Sequence, residues 1–191
     1  QTCALPIYIL GVSVFEREAG SFQFHPGPVF SQVILADEIN RATPKAQSAL
    51  LEAMEEHQVS VEGETRPLPD PFFVIATQNP TYQVGTFPLP ESQLDRFLMR
   101  IEIGYPDKES ERILLRERDR RELLTEIGSV ITIDQLRTLQ ESVVGIHVSD
   151  GLLDYIQNIL AFSRQSPDFR SGLSPRAGLA LLHCAQAWAL M

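Results

Sequence analysis

Two short apolar runs stand out in the first half of the chain, Val33–Ala36 (VILA) and residues 72–76 (FFVIA). Unbroken apolar stretches of this length predict strands buried on both faces. Each run stops at polar residues, Asp37 and Glu38 after the first and Thr77, Gln78 and Asn79 after the second. Between them, Thr43 followed by Pro44 reads as an N-cap and a first-position proline, opening a helix whose apolar stripe is Ala46, Ala49, Leu50, Ala53 and Met54. Residues 59–61 and 66–68, separated by Glu62 and Gly63, predict a hairpin. Beyond residue 106 the pattern becomes helical. Asp107 caps a helix expected to run through Arg121, Thr132 with Gln135 forms a capping box, and Ser149 opens a helix with Leu152, Leu153, Ile156, Ile159 and Leu160 on its apolar face. Ser174 and Pro175 start a final helix, on which Trp188 reads as a core residue.

The change of pattern predicts an α/β part over residues 8–105, rich in prolines and glycines, and a small all-α domain over residues 106–191. Residues 1–7 (QTCALPI) read as foreign, like a translated sequencing adapter fused to an incomplete reading frame. The chain stops inside an amphipathic helical pattern with no C-cap signal, so it reads as a fragment. Its 191 residues are 43% hydrophobic and 21% charged, a globular balance that excludes disorder, and no apolar run approaches the ~20 residues of a membrane span. Asp and Glu number 25 against 16 Lys and Arg, and the net charge of −9 repels a phosphate backbone, which disfavours nucleic acid as the main partner. Cys3 and Cys184 lack any paired spacing, so a disulfide framework and a cysteine zinc site are excluded, and a reducing, cytoplasmic setting is expected.

Parallel strands in open α/β sheets present ligands at their C-terminal ends, where Asp37, Glu38 and Asn79 all fall. A carboxylate pair there suits a magnesium ion and a polarised water; the blander alternative is favourable charge at a helix N-terminus. His25, His57, His147 and His183 fall in separate elements and read as surface or packing residues. Arg112, Arg116, Arg118, Arg120 and Arg121 alternate with glutamates, the signature of a solvated helix face.

Four strings in order, LADEINRATPKAQSALLEAMEE (35–56), FFVIATQNP (72–80), GTFPLPESQLDRFLMRIEIGYP (85–106) and GLSPR (172–176), resemble the MoxR family of AAA+ ATPases. The resemblance spans nearly everything from Ile9 onward, including FQFHPGPVF (22–30). It implies an AAA+ P-loop core, a parallel sheet flanked by helices, followed by an all-α lid, with a last core strand at residues 98–103. Carried over by residue, LADE resembles a Walker B motif, with Asp37 holding Mg2+ through water and Glu38 activating the attacking water. Asn79 resembles sensor 1, Arg96 in LDRF resembles an arginine finger reaching a neighbouring subunit's ATP, and Arg176 resembles sensor 2. Fingers of this kind are worth on the order of 10³–10⁵ in rate.

The sequence departs from the family in having no G-x-x-x-x-G-K-[ST] loop, the segment whose backbone amides and lysine hold the phosphates. These residues alone are therefore expected not to hydrolyse ATP, and the strand feeding the loop, placed by the family's sheet order between residues 98–103 and the Asn79 strand, is missing from the centre of the sheet. The resemblance implies an ATP- and Mg2+-dependent ring, a hexamer, that remodels client proteins with a partner carrying a von Willebrand factor A domain. Two further readings stay open: a nucleic-acid motor, through the hairpin shared with replicative helicases, and a non-enzymatic interaction module.

Overall fold

The computed structural model describes residues 9–18, 20–79, 85–116 and 127–191. The chain divides into two compact units, the first ending at Phe97 and the second starting at Leu98. In the first unit, strands β1 (Gly11–Glu16) and β2 (Ser21–Pro26) form an antiparallel hairpin. β3 (Val33–Ala36) follows, then a single 3-10 turn (Ile39–Arg41) and helix α1 (Pro44–Glu56). β4 (Gln58–Val61) and β5 (Glu64–Pro67) make a second hairpin, and β6 (Phe73–Ala76) returns to pair in parallel with β3, Val33 opposite Phe73 and Ala36 opposite Ala76. A short helix α2 (Glu91–Leu94) closes the unit.

Local sequence accounts for most of these boundaries. Thr43 Oγ1 accepts the Ala46 amide at 3.3 Å, and Pro44 takes the first helical position, as the pattern predicts. The second hairpin turns through Glu62 (φ 56°) and Gly63 (φ 82°), the two successive positive φ values that a two-residue turn between twisted strands requires. Glu62 also anchors this turn to β1, since its carboxylate accepts from both the amide and the hydroxyl of Ser13.

The core lies against α1. One cluster joins Val29, Ala53, Val59 and Leu68; a second joins Ile39, Leu50, Leu51 and Leu89, with Ile34, Ala36, Val74 and Ala76 packed on it. The inward residues of β3 and β6 thus meet the helix, whereas the outward ones do not. Leu35 is 65% exposed and Phe73 58%, and Val33 and Ile75 are exposed beside them. The expectation of strands buried on both faces is therefore corrected: strand side chains alternate, and among the described residues only one face of this two-stranded sheet is covered.

The second unit contains α3 (Lys108–Leu114), α4 (Ile133–Val144), α5 (Asp150–Gln165) and α6 (Pro175–Leu190). Its caps follow the sequence. Asp107 accepts the Ser110 amide at 2.7 Å, Thr132 and Gln135 make both bonds of the capping box, Ser149 accepts from Leu152, and Ser174 accepts from Ala177. Both α4 and α5 pack on α6. The strap before α6 is tied to α5, where the Ser163 hydroxyl accepts the Leu173 amide at 3.0 Å and Arg164 Nε donates to the Leu173 carbonyl at 2.9 Å.

Three further expectations need correction here. Residues 98–103 form no strand; Leu98, Met99, Ile101 and Ile103 are exposed, and no described strand lies alongside to supply the ladder bonds a strand requires. The helix opened by Asp107 ends at Leu114, so Arg112 lies on it and Arg116 just beyond, while Arg118, Arg120 and Arg121 lie outside the described residues, as do residues 1–7. Trp188 is 80% exposed rather than core, because the side of α6 that packs carries Gly178 and Gln186.

Candidate active site

The parallel pairing of β3 and β6 brings their C-terminal ends to one edge, and five side chains meet there. Thr77 Oγ1 donates to Asp37 Oδ1 at 2.5 Å and accepts the Glu38 amide at 2.8 Å. Asn79 Nδ2 donates to Glu38 Oε1 at 2.7 Å, and the other Glu38 oxygen faces Arg41 Nη1 at 3.3 Å. Glu38 itself has φ 53°, a left-handed backbone that a non-glycine residue adopts at a cost and that clusters at functional sites. The Thr77 carbonyl accepts the Ile39 amide at 3.0 Å, so Thr77 holds the strained residue from both sides.

A buried amide pair supports this edge from below. Asn40, 1% exposed, accepts the Asn79 amide at 3.2 Å through Oδ1 and donates to the Asn79 carbonyl at 2.9 Å through Nδ2. The Asn40 carbonyl accepts the Phe87 amide at 2.6 Å. Gln47, also buried, sends Nε2 toward the carbonyls of Ile39, Ala42 and Phe87 at 3.1, 3.2 and 3.2 Å. Buried amides with several partners behave as rigid spacers, and these two fix the turn after Glu38 and the backbone of Asn79. Sequence reasoning missed Asn40, Gln47 and Thr77 as site residues. The available signal was Gln47, an amide on the packed side of an otherwise apolar helix face.

Of the residues singled out in the sequence, Asp37, Glu38 and Asn79 come together at this edge. Arg96 lies elsewhere in the same unit, just past α2, with Nη1 donating to the Leu51 carbonyl at 2.9 Å and Nη2 paired with Glu55 Oε2 at 3.0 Å. Both partners belong to the C-terminal half of α1; Leu51 stands ~12 Å of helical rise from the Thr43 cap. Arg176 is the second residue of α6 in the other unit and is exposed.

Asp37 is exposed, and the Thr77 hydroxyl uses only part of its acceptor capacity. Among the described residues no group of three His, Cys, Asp or Glu forms a metal cage. One hard carboxylate at a solvent-open strand end suits magnesium, which keeps several waters and takes other ligands from phosphates.

Residues 2–99 match the family described as "ATPase family associated with various cellular activities (AAA)". This chain belongs to the AAA ATPases, in their MoxR branch. It is 44% identical over 187 residues to the uncharacterized protein YeaC of Bacillus subtilis, and 38% identical over 203 residues to Chaperone MoxR1 of Mycobacterium tuberculosis. Both alignments cover 98% of this chain but only 58% and 52% of the relatives, so the chain spans a little over half of their length. A crystal structure of an ATPase candidate from Cytophaga hutchinsonii superposes with a TM-score of 0.81 at 37% identity, covering 98% of this chain and 59% of that one. The α/β class and the helical C-terminal part agree with that match. No helix among the described residues is long and apolar enough to cross a membrane.

Proposed function

We propose that the protein containing this chain hydrolyses ATP with magnesium, as a cytoplasmic hexameric ring that remodels client proteins together with a partner bearing a von Willebrand factor A domain. The observation that carries the catalytic part is the hydrogen bond from Asn79 to Glu38 across the ends of two parallel strands. Phosphoryl transfer to water asks a protein for a base, a group that orients the water, and charge opposite the phosphates. In this reading Glu38 Oε1 takes the proton from the attacking water while the Asn79 amide orients that water. Asp37 holds magnesium through water, and the ion, when bound, neutralises phosphate charge. The likeness to a chaperone supports the remodelling role.

Arg96 and Arg176 supply cation charge in the same reading, Arg96 toward a neighbouring subunit and Arg176 from the helical unit. The 191 residues contain no G-x-x-x-x-G-K-[ST] loop, so these residues alone are proposed not to turn over ATP. The test uses the full-length gene product. Glu38→Gln keeps the shape of the side chain and removes its basicity, so ATP and magnesium bind while turnover falls by at least ~10²-fold. Turnover at the parent rate in that variant removes Glu38 from the chemistry and the proposal with it.

A further inference from the structure

Arg96 is held by its own chain in a way that a finger serving another subunit has to reconcile. Its two terminal nitrogens bond the Leu51 carbonyl and the Glu55 carboxylate, one turn apart on α1, and its side chain remains 30% exposed. The group borders a cavity of about 480 Å³ lined also by Ser48, Glu52, Glu56 and Gln93. Arg96 Nε and Gln93 Oε1 are both buried there without a hydrogen-bond partner. A guanidinium carries five N–H groups in a rigid plane, so the two α1 contacts fix that plane and leave donors over.

From this geometry we infer that Glu55 is a positioning residue: it sets the orientation in which Arg96 meets an anionic group, the phosphates of ATP bound by a neighbouring subunit. The inference rests on the proposed role of Arg96 in trans. It follows from the division of labour at the guanidinium. The Leu51 carbonyl fixes one nitrogen and is part of the helix backbone, so it cannot be tuned. Glu55 fixes the second nitrogen and, with it, rotation about the first contact. Without the carboxylate the long side chain regains its rotamers, and the finger reaches the phosphate in fewer productive orientations. Its carboxylate is paired with Arg96 Nη2, so in this reading Glu55 acts on turnover through Arg96.

The experiment measures steady-state ATP hydrolysis by the full-length gene product carrying Glu55→Gln, Glu55→Asp, Arg96→Ala, or Glu55→Gln with Arg96→Ala. Glu55→Gln is expected to lower kcat between about 5- and 100-fold, the range for a misplaced rather than missing group, with KM for ATP within twofold. Glu55→Asp, which keeps the charge, regains part of that loss. In the Arg96→Ala background Glu55→Gln has no further effect on kcat. Mixed rings add a second readout: Glu55→Gln subunits regain turnover when combined with Glu38→Gln subunits, as Arg96→Ala subunits do, because both damage the same side of a shared site.

If Arg96→Ala loses turnover while Glu55→Gln keeps the parent kcat, the inference is overturned and the finger reading stands. If Arg96→Ala itself turns over normally, the finger reading has failed. If Glu55→Gln and Arg96→Ala lower kcat additively, Glu55 acts by another route and the inference is wrong. Protein that melts early in both Glu55 variants is assessed through the mixed rings, where recovery with Glu38→Gln partners supports positioning and absence of recovery refutes it.

Discussion

Replacing Asn40 by alanine removes the most buried polar contact at the strand edge. Asn40 Nδ2 and Oδ1 engage the carbonyl and amide of Asn79 at 2.9 and 3.2 Å, and the side chain is 1% exposed. Truncation leaves both Asn79 backbone groups without their partner, and each buried polar group so orphaned costs about 1–3 kcal/mol. Asn79 is itself only half-buried, which admits water to part of the gap and holds the sum to roughly 2–4 kcal/mol. That is a large share of a domain's typical ~5–15 kcal/mol. At an m value of about 2 kcal/mol/M, the urea midpoint drops by roughly 1–2 M. The exposed Lys45→Ala on the same helix is the control, expected to stay within about 0.5 kcal/mol. Hydrogen exchange on peptides spanning residues 73–79 locates the effect, because the Asn79 amide loses its acceptor. A midpoint within ~0.3 M of the parent, with protection at residue 79 retained, would show that the Asn40 bridge does not fix this edge.

Two other perturbations probe the helical unit. Thr132→Ala breaks the reciprocal capping box with Gln135 and is expected to cost about 1 kcal/mol, read as faster exchange in residues 133–136. The Ser110 amide hydrogen bond holds the Asp107 carboxyl below its usual range; a lowered folded pKa gives stability that is present above the unfolded value and disappears as pH falls through the folded one. Asp107→Asn therefore flattens the acid side of the stability profile between those two values, and an unchanged profile refutes the assignment.

What the sequence made legible was local. Thr43 with Pro44, Thr132 with Gln135, Ser149 and Ser174 each satisfy donors within three residues, so the cap and its partner sit in the same stretch of chain. The apolar runs marked β3 and the strand at Phe73–Ala76, and their polar endings marked the edge where Asp37, Glu38 and Asn79 meet. What stayed hidden depends on partners far along the chain. Asn40 works through residue 79, which no window of helical or strand length reaches, and of the Gln47 contacts the one to residue 87 is hidden in the same way. Leu51 escaped the apolar stripe because small alanines drew the face of α1 slightly to one side of the real one. Residues 98–103 have strand composition, but composition supplies no ladder, and without a described partner they stay irregular and exposed.

Helix α1 is the physical link between the two kinds of charged group. Its N-terminal end is tied to the carboxylate edge, since Gln47 reaches back to Ile39 and Ala42 in the turn that follows Glu38. Its C-terminal half holds Arg96 through Leu51 and Glu55. The intervening rise of ~12 Å is longer than any hydrogen bond or ion pair, so a guanidinium seated on the far half of α1 does not complete the Glu38 edge of its own chain without abandoning both of its contacts. Leaving them would give up one hydrogen bond and one ion pair together. The arrangement instead suits two half-sites at opposite ends of one rigid rod.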